Sequence, residues 1–241
     1  MGEGLGMSRP VKLALAVLAV LAVAACSRDD EARSLESQLV KAGRAAIAAS
    51  RATTAPTPVL TRAVLDTIDG PLLEVTLERR DQRAYLYVSA ERRDSDPGRI
   101  VIWRTGDDIT LAMRNGVLFA TRGLGGDILS TTLQVADNRP GPARGGEKSF
   151  DIRDLDNKAR RLTLACTLSD LGPATIEIIG HSLATRHIRE TCEGGAVGDG
   201  TGAPGQVVND YWVDSRAGLV WQSRQWAGPQ AGYLRMRRVV R

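Results

Sequence analysis

Hydrophobic and polar residues alternate along most of the chain from residue 59 onward. A period of two is typical of β-strands that bury one face. Between two such stretches, residues 115–116 are Asn-Gly, which favours the tight turn of a β-hairpin because both residues accept positive φ. The pattern predicts strands at 71–80, 84–89, 99–104, 109–113, 117–121, 175–179, 206–213, 219–226 and 233–240. Short strands joined by hairpins predict a mainly β, antiparallel fold.

The N-terminal part of the chain has a different pattern. Residues 13–25 form an apolar run behind Arg9 and Lys12, which is the layout of a secretory signal peptide. This run is shorter than the roughly 20 residues that a transmembrane helix needs. Apolar residues then recur at helical spacing over 31–49, and residues 51–58 contain two prolines. We therefore predict an amphipathic N-terminal helix followed by a linker.

The end of the apolar run, Val23-Ala24-Ala25-Cys26, resembles the lipobox of bacterial lipoproteins. In that class of protein the peptide is cut before the cysteine, whose acyl chains anchor the protein with about 0.8 kcal/mol per buried methylene. An ordinary signal peptide with a nearby cysteine is the alternative. Ser27 follows instead of the Asp that favours inner-membrane retention, so the resemblance implies the outer membrane. The expected regions are a signal peptide (1–25), the lipidated Cys26 with helix and linker (26–58), and a single periplasm-facing β-rich domain (59–241).

Charge argues against a nucleic-acid partner. The chain has 32 Lys and Arg against 28 Asp and Glu, a net charge of +4, and the basic residues are spread along it. Nucleic-acid-binding proteins usually concentrate Lys and Arg on one element, and an exported protein is in the wrong compartment. A weak attraction to anionic polysaccharide or lipopolysaccharide fits this charge.

Cysteine usage predicts one disulfide. The chain has three cysteines, and with Cys26 lipidated, Cys166 and Cys192 remain. In an oxidising compartment such a pair favours a disulfide over a zinc site, which needs four ligands at close spacings. Closing a loop of this length stabilises a fold by roughly 3 kcal/mol. We predict the Cys166–Cys192 bridge and no metal or other cofactor.

A single segment resembles a catalytic motif. Residues 180–184, Gly-His-Ser-Leu-Ala, are similar to the nucleophile elbow of α/β-hydrolases. However, no helix–strand alternation precedes the segment, and the later histidine, His187, is only five residues beyond Ser182. His181 and His187 also lack the spacing of a zinc site, so we expect both to be solvated. A serine hydrolase using Ser182 is a minor alternative, and no catalytic residue is predicted.

Aromatic residues are scarce but five of them lie near the C-terminus: Tyr211, Trp212, Trp221, Trp226 and Tyr233. Exposed Trp and Tyr rings can stack on sugars, whereas buried rings fill a core. The alternation of the last three predicted strands favours the core.

Several segments together resemble the YjbF/GfcB family of capsule-polysaccharide lipoproteins. They are Trp103-Arg104 with Gly106, residues 115–127, residues 209–214, residues 218–229 and Gly232-Tyr233. The lipobox and the cysteine pair fit as well, and the resemblance covers about residues 55–241. It implies an outer-membrane lipoprotein with a curved, half-open β-barrel or sandwich, encoded with machinery that assembles or exports polysaccharide. It provides no catalytic residues.

The leading hypothesis is a non-enzymatic accessory lipoprotein in polysaccharide export, which binds a polysaccharide-export protein or the glycan itself. A carrier of lipid or of lipoproteins is the alternative, since half-open barrels can hold lipid in an apolar concavity. The candidate binding residues are Trp103, Arg104, Arg122, Asp127, Trp212, Trp221, Arg224 and Trp226.

Overall fold

The computed structural model describes residues 60–194 and 205–240. The predicted signal peptide, Cys26, the helix at 31–49 and the linker at 51–58 lie outside these residues. Most of the Gly-rich segment 193–205 lies outside them too, so these assignments stay predictions. Within the described ranges, no helix is long and apolar enough to cross a membrane.

The described chain begins with one helical turn and continues almost entirely as strands. Helix α1 (Arg62–Leu65) is capped by Thr61, whose side chain accepts a hydrogen bond from the backbone N–H of Val64. A 3₁₀ turn at Glu78–Arg80 shortens the first predicted strand. The strands are β1 (Leu72–Leu77), β2 (Gln82–Arg92), β3 (Ile100–Arg104), β4 (Thr110–Arg114), β5 (Val117–Arg122), β6 (Ile128–Thr131), β7 (Gly146–Arg153), β8 (Ala159–Ile178), β9 (His181–Glu193), β10 (Gln206–Asp214), β11 (Leu219–Trp226) and β12 (Tyr233–Val240).

All twelve strands in the described part form one antiparallel sheet, in the order β5-β4-β3-β2-β1-β12-β11-β10-β9-β8-β7-β6. The two edge strands, β5 and β6, are consecutive in the chain, and side chains join them. The Thr121 hydroxyl donates to Asp127 Oδ1 at 2.9 Å and accepts from the backbone N–H of Ile128 at 3.0 Å. The sheet therefore curls into a nearly closed barrel, which confirms the predicted mainly β, half-open architecture.

The concave side of the sheet holds the main hydrophobic core. Alternate residues of β1 point into it, and two of them, Val75 and Leu77, lie opposite the buried Met236 and Leu234 of β12. Trp103 of β3 and Trp226 at the end of β11 belong to the same core, and Trp226 meets Phe150 edge to face at 5.2 Å. Fully burying one large apolar side chain contributes about 1.5–3 kcal/mol, so both tryptophans stabilise the barrel.

The β8–β9 hairpin extends beyond the strands on either side of it. Near its base, Cys166 and Cys192 are directly opposite in register and form the predicted disulfide. Near its tip, Ile178 packs with Leu65 of α1 and Val239 of β12 in a second, smaller core. The disulfide thus joins the two strands of the hairpin near its base, and the second core ties the tip of the hairpin to α1 and β12.

Candidate functional site on the outer face of the sheet

A buried polar cluster lies inside the barrel. Lys148 Nζ is 2.8 Å from Glu190 Oε2, and both side chains are 6% exposed. The same carboxylate oxygen accepts hydrogen bonds from Asn209 at 2.8 Å and from the Tyr211 hydroxyl at 3.3 Å. Burial opposes the charge on Glu190, but Lys148 and these hydrogen bonds prevail, so the pKa of Glu190 lies below its usual value. Burial, and then the Glu190 charge, raise the pKa of Tyr211 well above its ordinary value.

Gln225 of β11 extends this cluster across the barrel to β5. Its Oε1 accepts from the backbone N–H of Leu118 at 2.8 Å, and its Nε2 donates to the Gly116 carbonyl at 2.9 Å. Asn209 likewise accepts from the backbone N–H of Trp226 at 2.8 Å. Buried polar groups are costly unless they are paired. We therefore assign the cluster to holding opposite walls of the barrel together.

A cavity of about 70 Å³ lies between residues that include Trp103, Met113, Trp221 and Met236. Ligand pockets usually measure about 300–1,000 Å³, so this cavity offers no room for an acyl chain. A second recess of about 290 Å³ lies between residues that include Leu168, Ile188 and Val213. Its volume approaches the lower end of that range, so the lipid-carrier alternative stays a prediction.

On the convex side of the sheet, a row of residues crosses six neighbouring strands. Each residue lies directly opposite the next in the strand register, so all of them project from one face. Strands are about 4.8 Å apart, so five steps cover about 24 Å. From β2 to β9 the row contains Arg83, Thr76, Arg235, Arg224, Asp210 and Arg189.

A second row runs beside the first, two residues along each strand. It contains Tyr85, Glu74, Arg237, Gln222, Trp212 and His187, in the same strand order. Glu78, in the 3₁₀ turn after β1, joins the first row through contacts with Arg224 and Arg235. We call these two rows with Glu78 the arginine face.

Ion pairs hold the arginine groups in fixed positions at the middle of this face. Arg224 donates to both oxygens of Glu78, at 2.8–3.1 Å, while its guanidinium lies over the Tyr233 ring at 3.6 Å. Arg237 donates through Nε to Glu74 at 2.9 Å. Bidentate and stacked contacts restrict a guanidinium more than a single ion pair does. The face is therefore preorganised.

Asp210 organises the β9–β10 end of the face. It accepts two hydrogen bonds from Arg189, at 2.9 and 3.2 Å, and its Oδ1 is 2.7 Å from His187 Nε2. The His187 ring stacks on Trp212, with centroids 4.5 Å apart and planes at 9°. Burial works to raise the pKa of Asp210, but hydrogen bonds from Arg189 and His187 hold it below its usual value. His187 is therefore packed and bonded, and the expectation that it is solvated is wrong.

The structure brings two of the eight sequence-predicted residues together, since Trp212 and Arg224 both lie on the arginine face. Trp103 and Trp226 are buried in the core, at 3% and 4% exposure. Trp221 is half-buried against the second core, and its indole N–H donates to Asp214 at 3.3 Å.

The remaining three predicted residues lie near β3–β6. Arg104 pairs with Asp108 across the β3–β4 turn, and Arg122 is exposed at the end of β5. Asp127 accepts from the backbone N–H groups of the turn after β5 as well as from Thr121. Asp127 thus closes the turn where the two sheet edges meet.

The hydrolase-like segment does not form a nucleophile elbow. Residues 179–180 are the tight turn of the β8–β9 hairpin, and Ser182 lies on β9 opposite Glu177. An elbow requires a strand-to-helix turn, so the serine-hydrolase alternative loses its structural basis. Cys166, Cys192 and Glu190 lie within 4.8 Å of one another. The two sulfurs are bonded to each other, so they provide no thiolates for a metal.

Sequence reasoning missed most of the arginine face, including Glu74, Glu78, Arg189, Arg235 and Arg237. The available signal was the polar half of each alternating strand, namely the residues that point away from the core. Only the strand order and register show that these residues align, and both depend on contacts between distant parts of the chain.

By its fold, the chain is a curved antiparallel β protein with a filled interior and a polar outer face. The family model of the group 4 capsule polysaccharide lipoprotein GfcB/YjbF matches residues 32–239, and the chain belongs to this family. This confirms the family resemblance seen in the sequence.

Individual relatives agree with this assignment. The uncharacterized lipoprotein GfcB of Escherichia coli K12 is 31% identical over 130 residues, which are 52% of this chain and 58% of that protein. The match thus spans less than two thirds of this relative. The crystal structure of the hypothetical lipoprotein YmcC of Escherichia coli K12 superimposes with a TM-score of 0.58 at 23% identity, covering 73% of this chain and 87% of that one. This second likeness concerns the fold.

Proposed function

We propose that this protein is a lipid-anchored accessory factor in the assembly or export of extracellular or capsular polysaccharide, and that it acts by binding rather than catalysis. Membership of a capsule-polysaccharide lipoprotein family supports the connection with polysaccharide. The lipobox ending in Cys26, followed by Ser27, supports an anchor in the outer membrane with the β domain facing the periplasm.

The observation that carries the proposal is the arginine face. Its two rows combine guanidinium, carboxylate and amide groups, which donate to and accept from hydroxyls. The half-buried Trp212 adds an aromatic ring at one end. A row of about 24 Å spans several neighbouring binding groups, which suits an extended chain better than a small molecule. We therefore place glycan binding on this face.

A complementation assay tests the proposal. Surface polysaccharide is measured in a strain lacking the protein and in strains that express the wild type, Cys26→Ala, Trp212→Ala or Leu155→Ala. Leu155 is 70% exposed in the β7–β8 turn and serves as the apolar control away from the face. We expect the deletion and Cys26→Ala to lose surface polysaccharide, Trp212→Ala to lower it, and Leu155→Ala to leave it unchanged.

Two results count against the proposal. A normal amount of surface polysaccharide in the deletion strain would refute the proposed role in polysaccharide export. A normal amount of surface polysaccharide in the strain with Trp212→Ala, with folding of the variant checked by circular dichroism, would refute the arginine face as the binding site.

A further inference from the structure

The composition of the arginine face indicates which class of glycan it takes. We infer that this face binds an anionic polysaccharide, with the carboxylate or phosphate groups of the chain held by the guanidinium groups. This inference rests on the proposed function and adds the charge of the ligand to it.

The charge of the face is positive. Five guanidinium groups accompany three carboxylates, which leaves a net charge of +2 on the named groups. The groups in question are Arg83, Arg189, Arg224, Arg235 and Arg237, with Glu74, Glu78 and Asp210.

The positive groups are also the more accessible ones. The side chains of Arg189, Arg224, Arg235 and Arg237 are 43%, 36%, 54% and 28% exposed, whereas those of Asp210, Glu74 and Glu78 are 10%, 5% and 27% exposed. An approaching ligand thus meets guanidinium groups first, with the carboxylates behind them. This arrangement attracts anions, because the buried carboxylates orient the arginines while presenting little negative surface.

The exposed arginines keep hydrogen-bond donors for a ligand. A guanidinium has five N–H groups. Arg189 and Arg224 each turn Nε and one Nη towards a carboxylate. The other Nη of each group bonds to nothing within the described residues, so each guanidinium keeps an end-on pair of N–H groups, one on each Nη, that can face a ligand carboxylate or phosphate.

A polysaccharide fits this face better than an anionic membrane does. The partly buried Trp212 and His187 offer a stacked aromatic surface at the β9–β10 end. The two adjacent rows of the arginine face, about 24 Å long, match a linear chain rather than a plane of headgroups.

Arg235 is the best residue for testing the inference. It is more than half exposed, and its Nε lies 3.8 Å from Glu78, which Arg224 already pairs at 2.8 Å. Reversing its charge therefore leaves no buried carboxylate without a partner. Arg153 is the matched control, because it is exposed at the end of β7, away from the face.

The experiment measures binding of the full-length protein in detergent to immobilised polygalacturonate and to neutral dextran by biolayer interferometry. We expect polygalacturonate to bind more tightly than dextran. Raising the ionic strength from about 0.1 M to about 1 M shortens the Debye length from about 10 Å to about 3 Å and should weaken that binding strongly. Arg235→Glu should weaken it about five-fold, a typical effect of one exposed ion pair. Arg153→Glu should stay within about two-fold of the wild type.

Each other outcome has a defined meaning. Equal, salt-insensitive binding of both polymers would refute the anionic ligand and leave glycan binding intact. Equal losses in Arg235→Glu and Arg153→Glu would refute the arginine face as the site. Binding of neither polymer, together with Arg235-dependent binding to phosphatidylglycerol vesicles, would refute both the inference and the proposed glycan binding.

Discussion

Replacing Lys148 by Met tests whether the buried ion pair holds the barrel together. The substitution keeps most of the side-chain volume but leaves the Glu190 carboxylate, 6% exposed, without its opposite charge. Removing one partner of a buried pair costs about 3–5 kcal/mol. Asn209 and Tyr211 still donate to the carboxylate, so we expect the lower end of that range. For a domain of this size, about 3 kcal/mol lowers the Tm by roughly 6–12 °C.

The assay is thermal unfolding followed by circular dichroism, with Lys158→Met as the matched control. Lys158 is 74% exposed and pairs with Asp156 in a surface turn. An exposed ion pair contributes about 0–1 kcal/mol, so the control should shift the Tm by a few degrees at most. Similar shifts in the two variants would refute the reasoning, because the buried ion pair would then contribute no more to stability than a surface ion pair.

The pH dependence supplies a second check on Lys148→Met. In the wild type the folded pKa of Glu190 lies below its unfolded value. The stabilisation is therefore fully present above the unfolded pKa of about 4.3 and is lost as pH falls through the folded pKa. In the variant, burial without Lys148 raises the folded pKa of Glu190. Protonation of this carboxyl group therefore removes the unpaired buried charge that destabilises the variant. The difference in Tm between the wild type and Lys148→Met should become smaller from about pH 7 to about pH 4. A larger difference at about pH 4 would contradict the assignment of Glu190 as the charged partner of Lys148.

Three further substitutions test the closure of the fold by thermal unfolding. Cys192→Ser should lower stability by about 3 kcal/mol through loss of the disulfide, and dithiothreitol should have no further effect on this variant. Gly116→Ala should cost about 1–3 kcal/mol more than Gly70→Ala. Both glycines have positive φ, but only at Gly116 does a Cβ meet a side chain, that of Val220, at 2.5 Å. Asp127→Ala should cost about 1 kcal/mol, because the part-buried donors of Thr121 and Leu124 lose their acceptor. An unchanged Tm would mean that the sheet edges meet without Asp127.

Much of the barrel could be predicted from the chain, since eight of its strands alternate apolar and polar residues with large side chains inside. The prediction was weakest for β6–β9, where 175–179 was the one predicted strand. In that part of the barrel the inward positions include Lys148 and Glu190, which are buried because they pair with each other. A charged residue on the inner face interrupts the hydrophobic period, and only its distant partner explains its burial. The hydrophobic pattern therefore does not predict β7 and β9, the strands that carry the ion pair.

The candidate site was predicted less completely, and the reason is again physical. Trp103 and Trp226 belong to the same alternating strands as the outer residues, but they point inward, and composition alone does not distinguish the two directions. Trp212, which the alternation assigned to the core, lies with Arg224 on the outer face, and their neighbours on that face come from β1, β9 and β12. Those neighbours become adjacent only through the register of a closed sheet.

The closure of the barrel itself decides where a ligand can bind. A hydrophobic core and a paired polar cluster occupy much of the interior, so the proposed polymer site lies on the convex side. On that side, the residues directly opposite one another across β1 and β9–β12 form a line at right angles to the strands. A polymer following this line would contact each strand once, and its binding would depend on the strand register rather than on any one loop. Substitutions inside the barrel, such as Lys148→Met, should therefore change stability, whereas Arg235→Glu should change binding at unchanged stability.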